Sequence, residues 1–123
     1  MKLALAALLL AGALPMAAQA EKAPAGRYVQ ASSNAGDCAT CEIELIQVAP
    51  DLLHIKANND WSGVAAYEPR SGQYMGYSQY QAGMGGDYGG PPMEVIWTYA
   101  RGVLSMKAEG GPGPITATFK RKR

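Results

Sequence analysis

The sequence predicts an all-β fold: an eight-stranded antiparallel up-and-down barrel, with a two-sheet β-sandwich as the alternative. Three observations predict it. Beyond the N-terminal leader, no window places apolar residues at i, i+3, i+4 and i+7, the helical spacing. What recurs is short apolar alternation punctuated by Gly, Pro, Asn and Asp. Eight such runs follow one another, most of them separated by short turns, and short connections favour sequential antiparallel neighbours. A twisted meander of eight tends to close, because closure removes both exposed edges. Eight strands enclose an interior that side chains fill or that holds one small ligand. The sandwich would suit the same alternation.

Each run has its own logic. Gly26 to Ala31 is a short first strand. Cys41 to Val48 sets Cys41, Ile43 and Leu45 against Glu42 and Glu44. Ala49-Pro50-Asp51 is turn chemistry, since Pro presets one backbone angle and Asp bonds locally. Leu52 to Ala57 puts Leu53, Ile55 and Ala57 on one face, His54 and Lys56 on the other. Asn58-Asn59-Asp60 turns. Ser62 to Tyr67 runs out, Glu68 to Gly72 turns, and Gln73 to Gln81 runs back. A Gly-rich loop, Ala82 to Pro92, follows. Met93 to Tyr99 aligns Val95, Trp97 and Tyr99. Ala100-Arg101-Gly102 turns, and Val103 to Ala108 aligns Leu104, Met106 and Ala108. After Glu109 to Gly113, Ile115 to Lys120 closes the set with Ile115, Ala117 and Phe119 facing in.

The chain ahead of these strands reads as a secretory signal peptide, residues 1–20. Lys2 supplies the positive start, Leu3 to Leu14 the apolar run, Pro15 the break, and Ala18-Gln19-Ala20 the small residues Ala18 and Ala20 at the two positions read before the cut. The run is short of the ~20 residues that span a bilayer. Removing it from 123 residues leaves 103, in one domain from 21 to 119 and a basic tail from 120 to 123. The processed chain carries ten basic and ten acidic residues, of which the body from Glu21 to Phe119 holds six and ten. That balance excludes a strongly basic nucleic-acid binder. The apolar content of 48% excludes wholesale disorder. The expected setting is periplasmic or secreted, with no membrane-spanning segment after cleavage.

Cys38-Ala39-Thr40-Cys41 is the sharpest local motif. A haem attachment would need His next, but Glu42 stands there. A zinc site needs about four ligands, and these thiols and the lone His54 are too few. A thioredoxin-like pair sits at a helix N-terminus, whereas a strand follows here. The remaining reading is a structural disulfide that pins the loop between the first two strands. His54 falls on the outer face of its strand. No G-x-S-x-G, H-E-x-x-H or phosphate-cradling motif is present. The glycines from Gly83 to Gly90 do not open a helix, so they read as a loop over one mouth of the barrel, not as a nucleotide cradle.

Seven Tyr and two Trp against one Phe leave most rings with a polar tip, the chemistry of ligand sites and interfaces. Trp61, Tyr74, Tyr77, Tyr80, Tyr88 and Trp97 are the candidate binding residues, with Tyr74 and Tyr80 on one strand face and Tyr77 on the other. The methionines have no copper-type spacing, and Met106 reads as core. Lys120, Arg121, Lys122 and Arg123 form a solvated end that could contact an anionic surface.

Gly26-Arg27-Tyr28 opening the first strand, Cys41-Glu42-Ile43-Glu44-Leu45 as a C-x-I-x-L strand, and the basic end together resemble the calycin superfamily of small eight-stranded barrels. Small secreted bacterial metalloprotease inhibitors of that superfamily are similar in length, leader and these two strands. Tyr28 stands where such families have Trp, and the cysteines are paired as C-x-x-C instead of lying far apart. The resemblance implies a non-enzymatic inhibitor whose mature N-terminus, here Glu21-Lys22-Ala23-Pro24, would insert into its target. The expected function is an exported binding protein without cofactor or metal, engaging a partner protein in the envelope. The alternative is a carrier of a small apolar or aromatic ligand in the barrel, and behind it a thiol redox protein using Cys38 and Cys41.

Overall fold

A computed structural model describes residues 20–36 and 38–123. The predicted leader, residues 1–20, lies outside them except for Ala20. The strands are β1 (Gly26–Ser33), β2 (Glu42–Ala49), β3 (Leu52–Ala57), β4 (Trp61–Glu68), β5 (Gln73–Tyr80), β6 (Met93–Ala100), β7 (Val103–Glu109) and β8 (Ile115–Arg121). They pair in sequence order, all antiparallel, and β1 pairs with β8, so the sheet closes. The barrel prevails over the sandwich because every strand finds its sequence neighbour and the last finds the first, leaving no edge.

Alternation dictates which side chains fill the interior. Tyr28, Ile43, Leu45, Leu53, Ile55 and Ala65 are buried from β1 to β4, while their strand neighbours face outward. Tyr74 of β5, Met93, Val95 and Trp97 of β6, Leu104, Met106 and Ala108 of β7, and Ile115, Ala117 and Phe119 of β8 join the core, with Ala23 from the segment before β1. The tight connections match their residues. Arg101 and Gly102 both take positive φ (54° and 79°) between the paired Ala100 and Val103, the backbone of a two-residue hairpin whose twist suits the strands. β4 and β5 approach closely at two glycines. A Cβ on Gly76 would overlap the Val64 carbonyl, and one on Gly63 would overlap Ser78. Glycine inside a strand marks such an approach.

Candidate functional site

The two ends of the barrel differ because their inward residues differ in size. At the end reached by the β2–β3, β4–β5 and β6–β7 turns, large rings meet. Tyr28 is fully buried and donates its hydroxyl to the Pro24 carbonyl at 2.7 Å. Tyr74 accepts the Ala23 amide at 3.0 Å and packs edge-on to Tyr67. The segment before β1 thus lies across this end: Ala23 is buried, and the Glu21 amide donates to the Tyr99 carbonyl at 2.8 Å. Lys22 bridges Asp51 at 2.7 Å and sits 5.1 Å over the Tyr67 ring, which ties the segment to the β2–β3 turn.

The opposite end is open. Here three inward positions on β5, β7 and β8 carry small residues: Ser78, Ala108 and Ala117. They leave a cavity of about 320 Å³. Its inner wall is Val95, Met106, Ala108, Ala117 and Phe119, and its outer wall carries Trp61, Tyr80 and Tyr88. Gln30, Asn59 and Gln79 add amide groups, and among the described residues no lining side chain carries a charge. The Ser78 hydroxyl in the wall is buried without a hydrogen-bond partner in the protein, a state that ordinarily costs about 1–3 kcal/mol. Burial pushes the Tyr80 phenol above its ordinary range, with Tyr88 and Asp60 adding to the effect, so the phenol stays a neutral hydrogen-bonding group at physiological pH.

The loops hold the rim. The stretch after β5 forms a single 3-10 turn, Gly86–Tyr88, entered through Gly85 in the left-handed region. A Cβ on Gly85 would strike the Tyr80 ring, so this glycine lets the loop lie on that ring. Gln79 bonds the Gly90 carbonyl at 2.8 Å and anchors the loop's far side. The loop therefore does stand over a mouth, and it brings Tyr88 to the cavity. Cys38 and Cys41 are disulfide-bonded and line the same rim. Asn58 holds that loop too, accepting from the Glu42 amide and donating to the Thr40 carbonyl.

Of the six aromatic candidates, the structure brings Trp61, Tyr80 and Tyr88 together at the cavity. Trp97 stands behind it. Its ring stacks on Trp61 with centroids 6.2 Å apart and contacts Phe119 at 6.0 Å. It is 2% exposed, with its indole N–H unpartnered, so Trp97 supports the wall and does not form it. Tyr74 belongs to the closed end, since it lies at the start of β5 and Tyr80 at its end. Tyr77 is 54% exposed on the outer face, as alternation requires. The basic residues are not a free tail throughout: Lys120 and Arg121 are paired within β8, Arg121 donates to the Ala25 carbonyl, and Lys122 bonds Glu42 at 2.6 Å. Sequence reasoning left open whether the interior is packed or holds a ligand, and it did not place the cavity. Its signal lies in the small inward residues Ala108 and Ala117, which alternation alone counts as core. Among the described residues no three His, Cys, Asp or Glu group to hold a metal ion, and no helix is long and apolar enough to cross a membrane.

The fold and site define a small closed β-barrel with one sealed end and one aromatic-rimmed open end. The chain matches no family model, no curated protein and no solved structure.

Proposed function

We propose that this protein is an exported, non-enzymatic barrel that binds a small, largely apolar ligand through its open end. The observation that carries the reading is the cavity: it joins a carbon-lined wall to a few uncharged polar groups, the usual make-up of a small-molecule site. Its volume of about 320 Å³ is roughly twice the ~150 Å³ that admits benzene in an apolar protein cavity, so it suits a two-ring ligand. The side-chain amides of Gln30, Asn59 and Gln79 in the lining offer such a ligand hydrogen bonds. Export is supported by the disulfide, which persists in oxidising compartments, and by the leader expected from the sequence.

The test uses N-phenyl-1-naphthylamine, an uncharged probe that fluoresces when taken out of water. Its emission should rise on titration with the protein and saturate at one site. Ala108→Leu, which fills the inner wall, should abolish the signal while the β-sheet circular dichroism stays. Absence of probe binding to the wild type defeats the reading.

A second reading, docking of an envelope partner protein, has one feature of its own. Val64 and Tyr77 are cross-strand neighbours on the outer face, as are Met75 and Ile96, and all four are exposed. Exposed apolar patches mark interaction sites. The inhibitor mode implied by the calycin resemblance has less support, because Glu21–Pro24 would have to leave the closed end and give up its bonds to Tyr99, Tyr74 and Tyr28. Loss of a partner from the Val64→Ser, Tyr77→Ser double variant, with probe binding intact, would favour this second reading.

A further inference from the structure

Charge is distributed unevenly between the two ends. Asp60 sits in the β3–β4 turn and Asp87 in the β5–β6 loop, both on the mouth. Glu94 and Glu109 stand at the adjoining strand ends, directly opposite each other across β6 and β7. Two like charges so placed repel. Of the bases near this rim, Lys107 lies 3.8 Å from Glu109, and Lys56 faces Glu44 across β2 and β3. The arginines gather at the other end: Arg27 and Arg121 on the paired β1 and β8, Arg70 in the β4–β5 turn and Arg101 in the β6–β7 turn.

We propose that the cavity selects organic cations: a flat ring system bearing a quaternary or protonated nitrogen. This rests on the reading that the cavity binds a small molecule. The ring lies inside against Phe119 and the free side of Trp61, and the cationic nitrogen stays near the mouth between Tyr80 and Tyr88. Three features of the open end favour a cation there. The outer wall is aromatic, and ring faces attract cations. The rim carboxylates add a negative potential, and Asp60 is close enough to influence the Tyr80 phenol. Among the described residues no basic side chain lines the cavity, so an anion would meet the same field with no cation there to pair it. The cost of desolvation is limited because the nitrogen stays at the wet mouth while the rings are buried.

The experiment compares three probes of one shape and different charge: 1-methylnaphthalene (neutral), N-methylquinolinium (cationic) and 1-naphthoate (anionic). Each is titrated into the full processed protein at low salt, and the Trp61 indole resonance is followed by NMR. The expected order is N-methylquinolinium, then 1-methylnaphthalene, then 1-naphthoate, with about a tenfold step between the first two from a few carboxylates acting through solvent. That step should shrink as salt is raised. It should also shrink in the Asp60→Asn, Asp87→Asn double variant, whose affinity for 1-methylnaphthalene is unchanged. If 1-methylnaphthalene binds as tightly as N-methylquinolinium, cation selection is overturned while the ligand site stands. A cation advantage indifferent to both salt and the double variant overturns the role of the rim. If none of the three shifts the Trp61 resonance, the ligand reading itself fails.

Discussion

The Tyr74 hydroxyl accepts a hydrogen bond from the Ala23 amide across 51 positions of sequence, at 3.0 Å and out of contact with water. This bond seals one end of the barrel, since it fixes the segment before β1 over the core. Tyr74→Phe keeps the ring and removes the acceptor, so the Ala23 amide is left buried and unpaired. The expected loss is about 1–3 kcal/mol, read as a lower urea midpoint with the slope unchanged. Probe binding at the opposite end should be unaffected, because Tyr74 does not line the cavity.

Most of the fold was legible because strand period and turn chemistry are local. Leu53, Ile55 and Ala57 alternate with His54 and Lys56, and no neighbour is needed to see which face goes in. The order of strands followed from turns such as Arg101-Gly102, which fix adjacency. The site was legible only in part, since it depends on height along tilted strands. Tyr74 and Tyr80 share a face, yet six residues of extended chain separate a sealed end from an open one. Alternation says which residues point inward but not which of them meet at the same level. The cavity needed that second coordinate. Ser78, Ala108 and Ala117 come from three strands and are ordinary singly, and only their common level leaves space.

Gly76 offers a sharper test of the barrel's geometry. A Cβ there would overlap the backbone carbonyl of Val64, which has no side-chain rotamer to relieve the clash. Gly76→Ala should therefore force β4 and β5 apart and cost about 3 kcal/mol or more, at or beyond the upper end of ordinary overpacking. Gly113 is the control. Nothing lies within 4 Å of its Cβ position and its backbone is not in the left-handed region. Gly113→Ala should be neutral or stabilising by a few tenths to about 1 kcal/mol through the unfolded chain. Thermal melts of the two variants side by side would show whether close strand approach, and not glycine content, is what matters.

The Cys38–Cys41 bond closes a very small loop. In the chain-entropy model such a loop contributes about 2 kcal/mol or less. The surrounding loop keeps other ties, including the Gln30 amide on the Cys41 carbonyl and both bonds of Asn58. The Cys38→Ala, Cys41→Ala double variant should thus remain folded, with a melting temperature lower by several degrees. A thiol redox role makes a different demand, namely that the reduced protein reduces a disulfide substrate such as insulin. The structural role predicts no such turnover.

Alkaline pH should destabilise the protein through Tyr28. Its ring is fully buried, and burial pushes the phenol from 10.0 up to about 12, with Tyr99 reinforcing the rise and Arg121 opposing it. The folded form therefore keeps a proton that the unfolded chain has lost above pH 10. A raised pKa of this kind leaves stability intact below pH 10 and erodes it as pH rises toward 12. The loss from this group is roughly 2 kcal/mol by pH 12, since each tenfold change in a proton equilibrium is worth about 1.4 kcal/mol. Burial raises Tyr74 and Tyr80 in the same direction, and both steepen the fall. Tyr28→Phe separates the contributions. It should start less stable at neutral pH, because the bond to the Pro24 carbonyl is gone, yet fall less steeply between pH 10 and 12. Urea midpoints measured for both proteins across that interval would decide it, and parallel curves would mean that Tyr28 ionises as readily folded as unfolded.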